Sequence, residues 1–520
     1  MIKKYLSIIT ISVLLIAFTS CDDFLSEKPS KTTSLEIKTV EHLDAILENY
    51  SSFYQIPSKE AIAGHDDFGL TVDLYNARPA SFSSLPIIYC STWDVKYFPF
   101  DAQARGSAWS AEYGKIFRAN LVLEYLDKVS GTDEQKSRLR AEAHLVRAYS
   151  LLELVHTYCL PYTEETKNEL GLALKQSVSF EELSHRATLA ETYALLESDI
   201  EKALEIKSKL VQNDRVRHWR GNIGAANALA ARYWLGRGDY AKAETYAQAA
   251  LNEYDQLLDY NTEMRYSSKT ETPRIYNDPS DLDYYEEFTV KFPYTYDNQT
   301  DMTDMIGWRE FYYFRLLNYD SWWYIPSQEL VNLYNHDYDL RFKYHYVDGY
   351  SYISPASMNK PAYRWYGYIF FFKDRIPAGP TVAEMLLTKA ECQARRNDVQ
   401  GAMATVNILR AKRIDSSAPA NEINLSASSR QDAIVKILEE RRREMPFYIR
   451  RFDIRRFYCN TDDFDDVTIT KTFFPYSNTA VLGGDAPVQY TIGKGDRRWA
   501  SPILNTDIVS SQGKLQQNTY

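Results

Sequence analysis

Four aspartates, Asp462, Asp463, Asp465 and Asp466, form a dense group of potential metal ligands. Hard oxygen donors at this spacing suit a calcium ion, but the stretch lacks the glycine and terminal Glu of an EF-hand. A solvated acidic loop is the favoured reading. The second chemical signal is a run of charge, Glu439-Glu440-Arg441-Arg442-Arg443-Glu444, followed by Arg450, Arg451, Asp453, Arg455 and Arg456. Guanidinium forks hold phosphates and carboxylates alike. The interleaved acids and a net charge of −10 favour an ion-pair network over a nucleic-acid face. Motifs for catalysis are missing: HExxH, GxSxG, a P-loop, GxGxxG and CxxC do not occur. The closest pair of histidines, His336 and His345, is separated by a Tyr-rich segment. A glycosidase-type carboxylate pair stays open, because sequence spacing does not reveal a separation of roughly 5–9 Å. The expectation is a binding protein, not an enzyme, with no cofactor and no metal.

Aromatic content is the outlying quantity: 41 Tyr, 23 Phe and 9 Trp make up 14% of the chain. Between Tyr254 and Tyr324, 19 of 71 residues are aromatic, interspersed with Pro273, Pro279 and Pro293. The segment has no helical period, so its rings are not a repeating core stripe. Flat rings stack on sugar faces, and tyrosine adds a hydroxyl. Trp308, Trp322 and Trp323 are the first candidates for a ligand face, with Trp93 and Tyr313 next. Trp322 and Trp323 are adjacent, so in extended chain one ring should face outward. Asn318, Asp320, Ser321 and Asp304 lie nearby and can bind hydroxyls. The competing reading is that these rings only fill core.

The elements that must position such a face are helical. Leu189, Tyr193, Leu196, Ile200 and Ala203 share one helical face, with Thr188 as N-cap. Ile223, Ala226, Ala230 and Trp234 form a stripe broken by Gly236 and Gly238. Asp239 then caps a second helix carrying Tyr240, Ala243, Ala247 and Ala250. This helix–turn–helix with small residues matches a tetratricopeptide unit. A second copy lies 159 residues later, where Ala390, Asn397, Val399, Ala402, Val406 and Leu409 fall at the offsets of Ala231, Gly238, Tyr240, Ala243, Ala247 and Ala250. Helices at Ala141–Tyr158 and Asp432–Arg443 add members, and single repeats must stack to bury their apolar faces. The gap between copies predicts an interrupted solenoid. Tyr363–Phe372 reads as one or two strands, and residues 459–498 as loops.

Lys3 and Lys4 precede an apolar run from Tyr5 to Phe18, then Thr19, Ser20 and Cys21. A helix of this length rises about 21 Å and falls short of a bilayer core, so the pattern is an export signal. Phe18-Thr19-Ser20-Cys21 looks like a loose lipobox with Cys21 as the lipidated first residue of the mature chain. A chain of 520 residues needs no staples, so Cys90, Cys159, Cys392 and Cys459 are expected as free thiols.

Several motifs stand along the chain in a fixed order: Cys21-Asp22-Asp23-Phe24-Leu25, Trp109…Tyr113…Ile116…Asn120, Arg140…Glu142…Arg147…Tyr149 with Pro161-Tyr162, and Pro326-Ser327 with Glu329-Leu330. Asp337…Asp339…Arg341-Phe342, Ala383-Glu384…Ala390-Glu391, Asn407…Arg410, Glu440-Arg441-Arg442-Arg443-Glu444, Pro502-Ile503 and Gln517-Asn518…Tyr520 follow. In this order they give the chain a resemblance to the SusD/RagB family of outer-membrane nutrient-binding lipoproteins of the Bacteroidetes. Tyr448-Ile449 and Thr381 depart from the common pattern of that family. The resemblance implies a mainly α fold, a tetratricopeptide-like superhelix with irregular aromatic-rich insertions and a few short strands. It implies a signal peptide over 1–20, an N-terminal region over 21–250, an aromatic insertion over 251–380 and a C-terminal region over 381–520. It further implies a surface-exposed, lipid-anchored outer-membrane protein. Such a protein captures a glycan or oligosaccharide and delivers it to a SusC-like TonB-dependent channel, without catalysis and without nucleic acid. A RagB-like peptide binder, a surface glycosidase and a tetratricopeptide scaffold are the alternatives.

Overall fold

A computed structural model describes residues 36–77, 85–101, 108–179, 185–276, 281, 283–298, 303–318, 324–353 and 363–520. Cys21, Asp320, Ser321, Trp322 and Trp323 lie outside these residues. Ten helices carry the scaffold. They are α1 (Val40–Glu48), α2 (Ala108–Tyr125), α3 (Asp133–Tyr158), α4 (Leu189–Ala203) and α5 (Ile223–Gly236), then α6 (Tyr240–Glu253), α7 (Val382–Arg395), α8 (Val399–Arg410), α9 (Arg430–Glu444) and α10 (Tyr448–Phe457). None of the described helices is long and apolar enough to cross a membrane.

Local chemistry sets most of the starts. Thr132 and Thr188 each form a capping box, with Gln135 and Glu191 respectively. Asn222, Asp239, Thr381, Asp398 and Ser429 each accept a backbone N–H of the first turn. Such a cap contributes about 1 kcal/mol by satisfying an otherwise orphaned donor. The two expected repeat units end their first helices alike. Gly238 and Asn397, 159 positions apart, both take left-handed backbone, with φ of +73° and +70°. The aspartate after each, Asp239 or Asp398, caps the next helix.

The helices pack in succession, α2 on α3, α3 on α4, α5 on α6, α6 on α7, α7 on α8, and α9 on α7. The expected interruption is therefore one of sequence only. α7 seats directly against α6, although residues 254–381 separate them along the chain. Ala228, Ala231, Ala247 and Ala250 from the first unit share one apolar cluster with Val382, Met385, Ala390, Ala402 and Val406 from the second. Alanine on both sides lets the backbones approach closely.

The insertion is tied back to the scaffold. A three-stranded sheet joins β1 (Gln55–Ile56), β2 (Leu316–Asn318) and β3 (Arg375–Pro377). Gln55 pairs with Leu316 in parallel, and Leu316 with Pro377 antiparallel. Tyr312 N–H donates to Pro380 O at 2.9 Å, and Val382 N–H to Glu310 O at 2.9 Å. Within 363–372, only Gly367–Tyr368 is a strand, pairing with Tyr346–Val347. A hairpin of β4 (Ile469–Phe473) and β5 (Val488–Ile492) ends the irregular face.

The arginine-rich run is an internal scaffold, mostly of ion pairs. Arg441 is fully buried and binds Asp453 at 2.8 Å with Glu384 at 3.6 Å. Arg456 binds Glu391 at 2.7 Å and Asp453 at 2.8 Å. Glu440 receives Arg341, Arg410 and Arg443 at 2.6–3.0 Å. Arg413 joins Glu310 of the insertion to Glu444 of α9. Burial of these carboxylates would raise them, but the guanidinium groups outweigh it and hold Glu391 at about 2 and Glu440 well below the usual carboxylate range.

Arg451 corrects the expectation that it lies in an ion pair. Among the described residues no carboxylate lies within 4 Å of it. It donates instead to Trp499 O at 2.7 Å and Ser501 Oγ at 3.2 Å.

Candidate functional site

Three of the five expected ligand rings are core residues. Trp308 is 3% exposed, with Phe370 and Phe371 edge-on at 4.9 and 5.4 Å. Tyr313 is 2% exposed, with the Arg315 guanidinium 3.8 Å over its ring and Tyr149 packed edge-on at 5.6 Å. Trp93 is buried with Ile454, Tyr458 and Trp499, and its indole N–H donates to Gly64 O at 3.0 Å. None of these three offers a ring face to a ligand in this structure. The strand ties that dock the insertion on the solenoid leave Trp308 and Tyr313 in the core, while Tyr266 and Tyr284 of the same insertion stay exposed. Trp322 and Trp323 fall outside the described residues.

The metal-like clusters are neutralised from within. Asp462 binds Arg395 and Arg430, Asp465 binds Arg395, and Asp463 and Asp466 bind Lys494. His65, Asp66 and Asp67 bring ligand atoms within 4.8 Å of one another. His65 Nε2 is already engaged with Ala61 O, its Nδ1 accepts from Asp67 N–H, and both carboxylates carry arginines. Burial pulls the His65 imidazole down to about 4, so it is neutral. His345 is likewise spent on Ile369 O and the Tyr260 hydroxyl.

What stays open is an aromatic shelf built by two distant segments. One is the turn after the buried helix Leu85–Ser91. Asp94 accepts the N–H groups of Tyr97 and Phe98 at 2.6 and 2.8 Å, and Phe98–Phe100 coils as a short 3-10 turn that leaves Phe100 71% exposed. The other is the β4–β5 connection. Leu482 N–H donates to Pro475 O, and Ser477 N–H to Ala480 O, both at 2.8 Å, closing a tight loop.

Tyr476 sits at the junction. Its ring lies 6.2 Å from Tyr97, 5.3 Å from Tyr89 below, and 5.8 Å from Tyr490, nearly parallel at 11°. Tyr75 packs edge-on against Phe473 and Phe474 at 5.5 and 5.6 Å. The hydroxyls point into the protein: Tyr476 to Thr92 Oγ1 at 2.7 Å, Tyr490 to Phe474 O at 3.2 Å, and Tyr89 to Ser477 O at 2.9 Å. Burial pushes all three phenols up, so they stay neutral. Tyr75, Tyr97, Tyr476 and Tyr490 are half-buried. Rings pinned by their hydroxyls present fixed faces, which lowers the ordering cost of stacking. Lys96, Asn478 and Gln489 are exposed on these segments, and Asp73 on the Val72–Ala77 helix that carries Tyr75.

Sequence reasoning missed these residues. A signal was present in Phe98-Pro99-Phe100 and Phe474-Pro475-Tyr476, two aromatic–Pro–aromatic runs. Proline excludes such rings from helix interiors and central strands, which leaves them for a loop surface.

A lysine underlies the shelf. Lys471 Nζ donates to Ala63 O at 2.9 Å and Ser91 Oγ at 3.1 Å, and lies over the Trp93 ring at 5.4 Å. Burial pulls its ammonium down to about 7.

A family model described as starch-binding associating with outer membrane matches residues 23–235, and one described as the SusD family matches residues 382–520. No curated protein matches the chain by sequence. Among solved structures, a SusD-like carbohydrate binding protein from Bacteroides vulgatus is 16% identical with a TM-score of 0.59, over 92% of this chain and 97% of that one. A surface glycan-binding protein A from Bacteroides uniformis is 16% identical with a TM-score of 0.56, over 92% and 99%. A laminarin-binding SusD-like protein is 18% identical with a TM-score of 0.55, over 92% and 99%. At this identity the three establish a shared fold.

Proposed function

Because the chain belongs to the SusD/RagB family, we propose that it is a non-catalytic surface lipoprotein that binds a glycan or oligosaccharide and passes it to a SusC-like TonB-dependent channel. The observation that carries this reading is the shelf. Tyr476 and Tyr490 have their hydroxyls committed inward and are half-buried, and Tyr476 lies 6.2 Å from Tyr97 of the turn that carries the exposed Phe100. Pyranose rings present flat apolar faces that match such a platform. Relatives of the same fold that are described as glycan-binding and laminarin-binding support the ligand class. Lipid on Cys21 would hold the shelf at the cell surface.

A glycan array run beside a peptide panel tests the ligand class. Retention of an oligosaccharide is expected, and retention of peptides alone would replace this reading with the RagB-like one. Cys21→Ala is expected to shift the protein out of the membrane fraction. Copurification of a TonB-dependent channel with the wild-type protein tests the partner.

A further inference from the structure

Beside the shelf the protein holds an open-sided cavity of about 310 Å³. One wall is α2, where Trp109, Tyr113 and Phe117 recur every fourth residue and so share a face. A stripe like this ordinarily fills core. Here its far end is open, with Phe117 36% exposed and Tyr113 half-buried. Trp109 is 7% exposed, and its ring packs on Tyr113 at 4.9 Å. Its backbone N–H donates to the Tyr158 hydroxyl at 3.1 Å, while among the described residues no acceptor meets its indole N–H. The Tyr113 hydroxyl donates to Ala173 O at 2.8 Å, which fixes that ring. Lys175, Asp507 and Ser510 line the other sides. The short helix Asn505–Ser510, which carries Asp507 and Ser510, also packs on the Phe98–Phe100 turn. The cavity therefore adjoins the edge of the shelf.

We propose that this cavity is a saccharide subsite that takes the terminal sugar unit of a ligand whose flank lies on the shelf. The proposal rests on the glycan reading above. An aromatic stripe receives the apolar face of a pyranose, the indole N–H donates to a ring hydroxyl, and Ser510 offers an acceptor. One acid and one base among the lining side chains balance, which suits a neutral ligand. The volume lies at the small end of ligand sites, roughly 300–1,000 Å³, and suits one or two sugar rings.

The test is calorimetric titration of wild type, Ser510→Phe, Trp109→Phe and Phe100→Ala. The probes are methyl glycosides of glucose, galactose, mannose and xylose, and any oligosaccharide retained on the array. Ser510 is exposed, so Ser510→Phe fills the cavity without disturbing the core. It is expected to weaken the best saccharide at least about 10-fold at an unchanged melting temperature. Trp109→Phe removes one donor and is expected to cost about 10-fold. If Ser510→Phe binds every probe like wild type while Phe100→Ala weakens the oligosaccharide, the cavity proposal falls and the shelf reading stands. If wild type binds no saccharide at all, both fall.

Discussion

The solenoid and the ground beneath the shelf both bury cations, and they treat them in opposite ways. In the solenoid, Arg410, Arg441 and Arg456 face carboxylates, and Glu391 is held near 2 by its arginines. Under the shelf, Arg451, Arg455 and Lys471 face carbonyl and hydroxyl oxygens. A carbonyl orients a cation without supplying charge, so desolvation wins there. Arg451 is pulled down to about 9, with the neighbouring Arg455 adding to the effect of burial, and Lys471 falls to about 7. Burial alone does not set the behaviour of an ion. The charge of its partner does.

The largest expected effect is in the solenoid. Arg441→Ala takes one buried positive charge from the core and leaves Asp453 with Arg456 alone and Glu384 with Arg232 alone, and should cost about 3–5 kcal/mol in urea unfolding. A loss below about 1 kcal/mol would mean that the network is not structural. Arg451→Ala leaves behind only carbonyls, one hydroxyl and a space, and should cost less, about 1–3 kcal/mol. Equal losses at the two positions would erase the contrast drawn here.

The pH dependence sharpens it further. Glu391 has a folded value of about 2 against an ordinary 4.5. Its contribution is complete above 4.5 and is lost as pH falls through 2. Lys471 has a folded value of about 7 against an ordinary 10.5. Between those values the unfolded chain holds the extra proton, so stability rises as pH climbs from 7 to 10.5. Lys471→Met should remove the rise between pH 7 and 9, below the range in which Arg451, with a folded value of about 9, adds its own, and leave the acid limb intact. An unchanged alkaline rise in this variant would show that Lys471 stays charged.

On the shelf itself, stacking on one ring is worth roughly 1–3 kcal/mol in comparable platforms. Phe100→Ala should therefore weaken oligosaccharide binding about 5- to 150-fold while stability stays within about 0.5 kcal/mol. A folded variant with wild-type affinity would remove Phe100 from the site. The smallest effect separates the two repeat turns. Gly238→Ala imposes left-handed backbone on a residue with a Cβ and should cost about 1 kcal/mol. Asn397→Gly keeps that backbone available and should change stability by less than about 0.5 kcal/mol.

The repeat units were legible in the sequence because their determinants are local. Alanine stripes, Gly238 or Asn397 at the turn, and aspartate caps all act within a few residues. The fate of the aromatic rings was not local. Trp308 is buried by Phe370 and Phe371, Tyr313 by Arg315 and Tyr149, and Trp93 by Ile454 and Trp499. Most of these partners come from distant parts of the chain. The absence of helical period marked the insertion as irregular, and irregular chain can still be core. Arg451 failed for a related reason. Sequence shows that acids are near in number, but only the fold decides that Trp499 O and Ser501 Oγ reach it first.

The seam where α7 meets α6 also bears on the order in which the protein is made. Synthesis runs from the N-terminus, so α5 and α6 emerge with Ala228, Ala231, Ala247 and Ala250 uncovered. Residues 254–381 must be translated before Val382, Met385 and Ala390 exist to cover them. The entropy of closing so long a loop grows slowly, about 0.6 kcal/mol per doubling of length. The delay is instead kinetic, because distant pairings form late. Until then the nascent chain is half a superhelix with a raw apolar end, the kind of end that repeat proteins must cap to stay soluble. The second repeat unit is thus the cap of the first, and a chain cut before it would keep most of its helices and lose their closure.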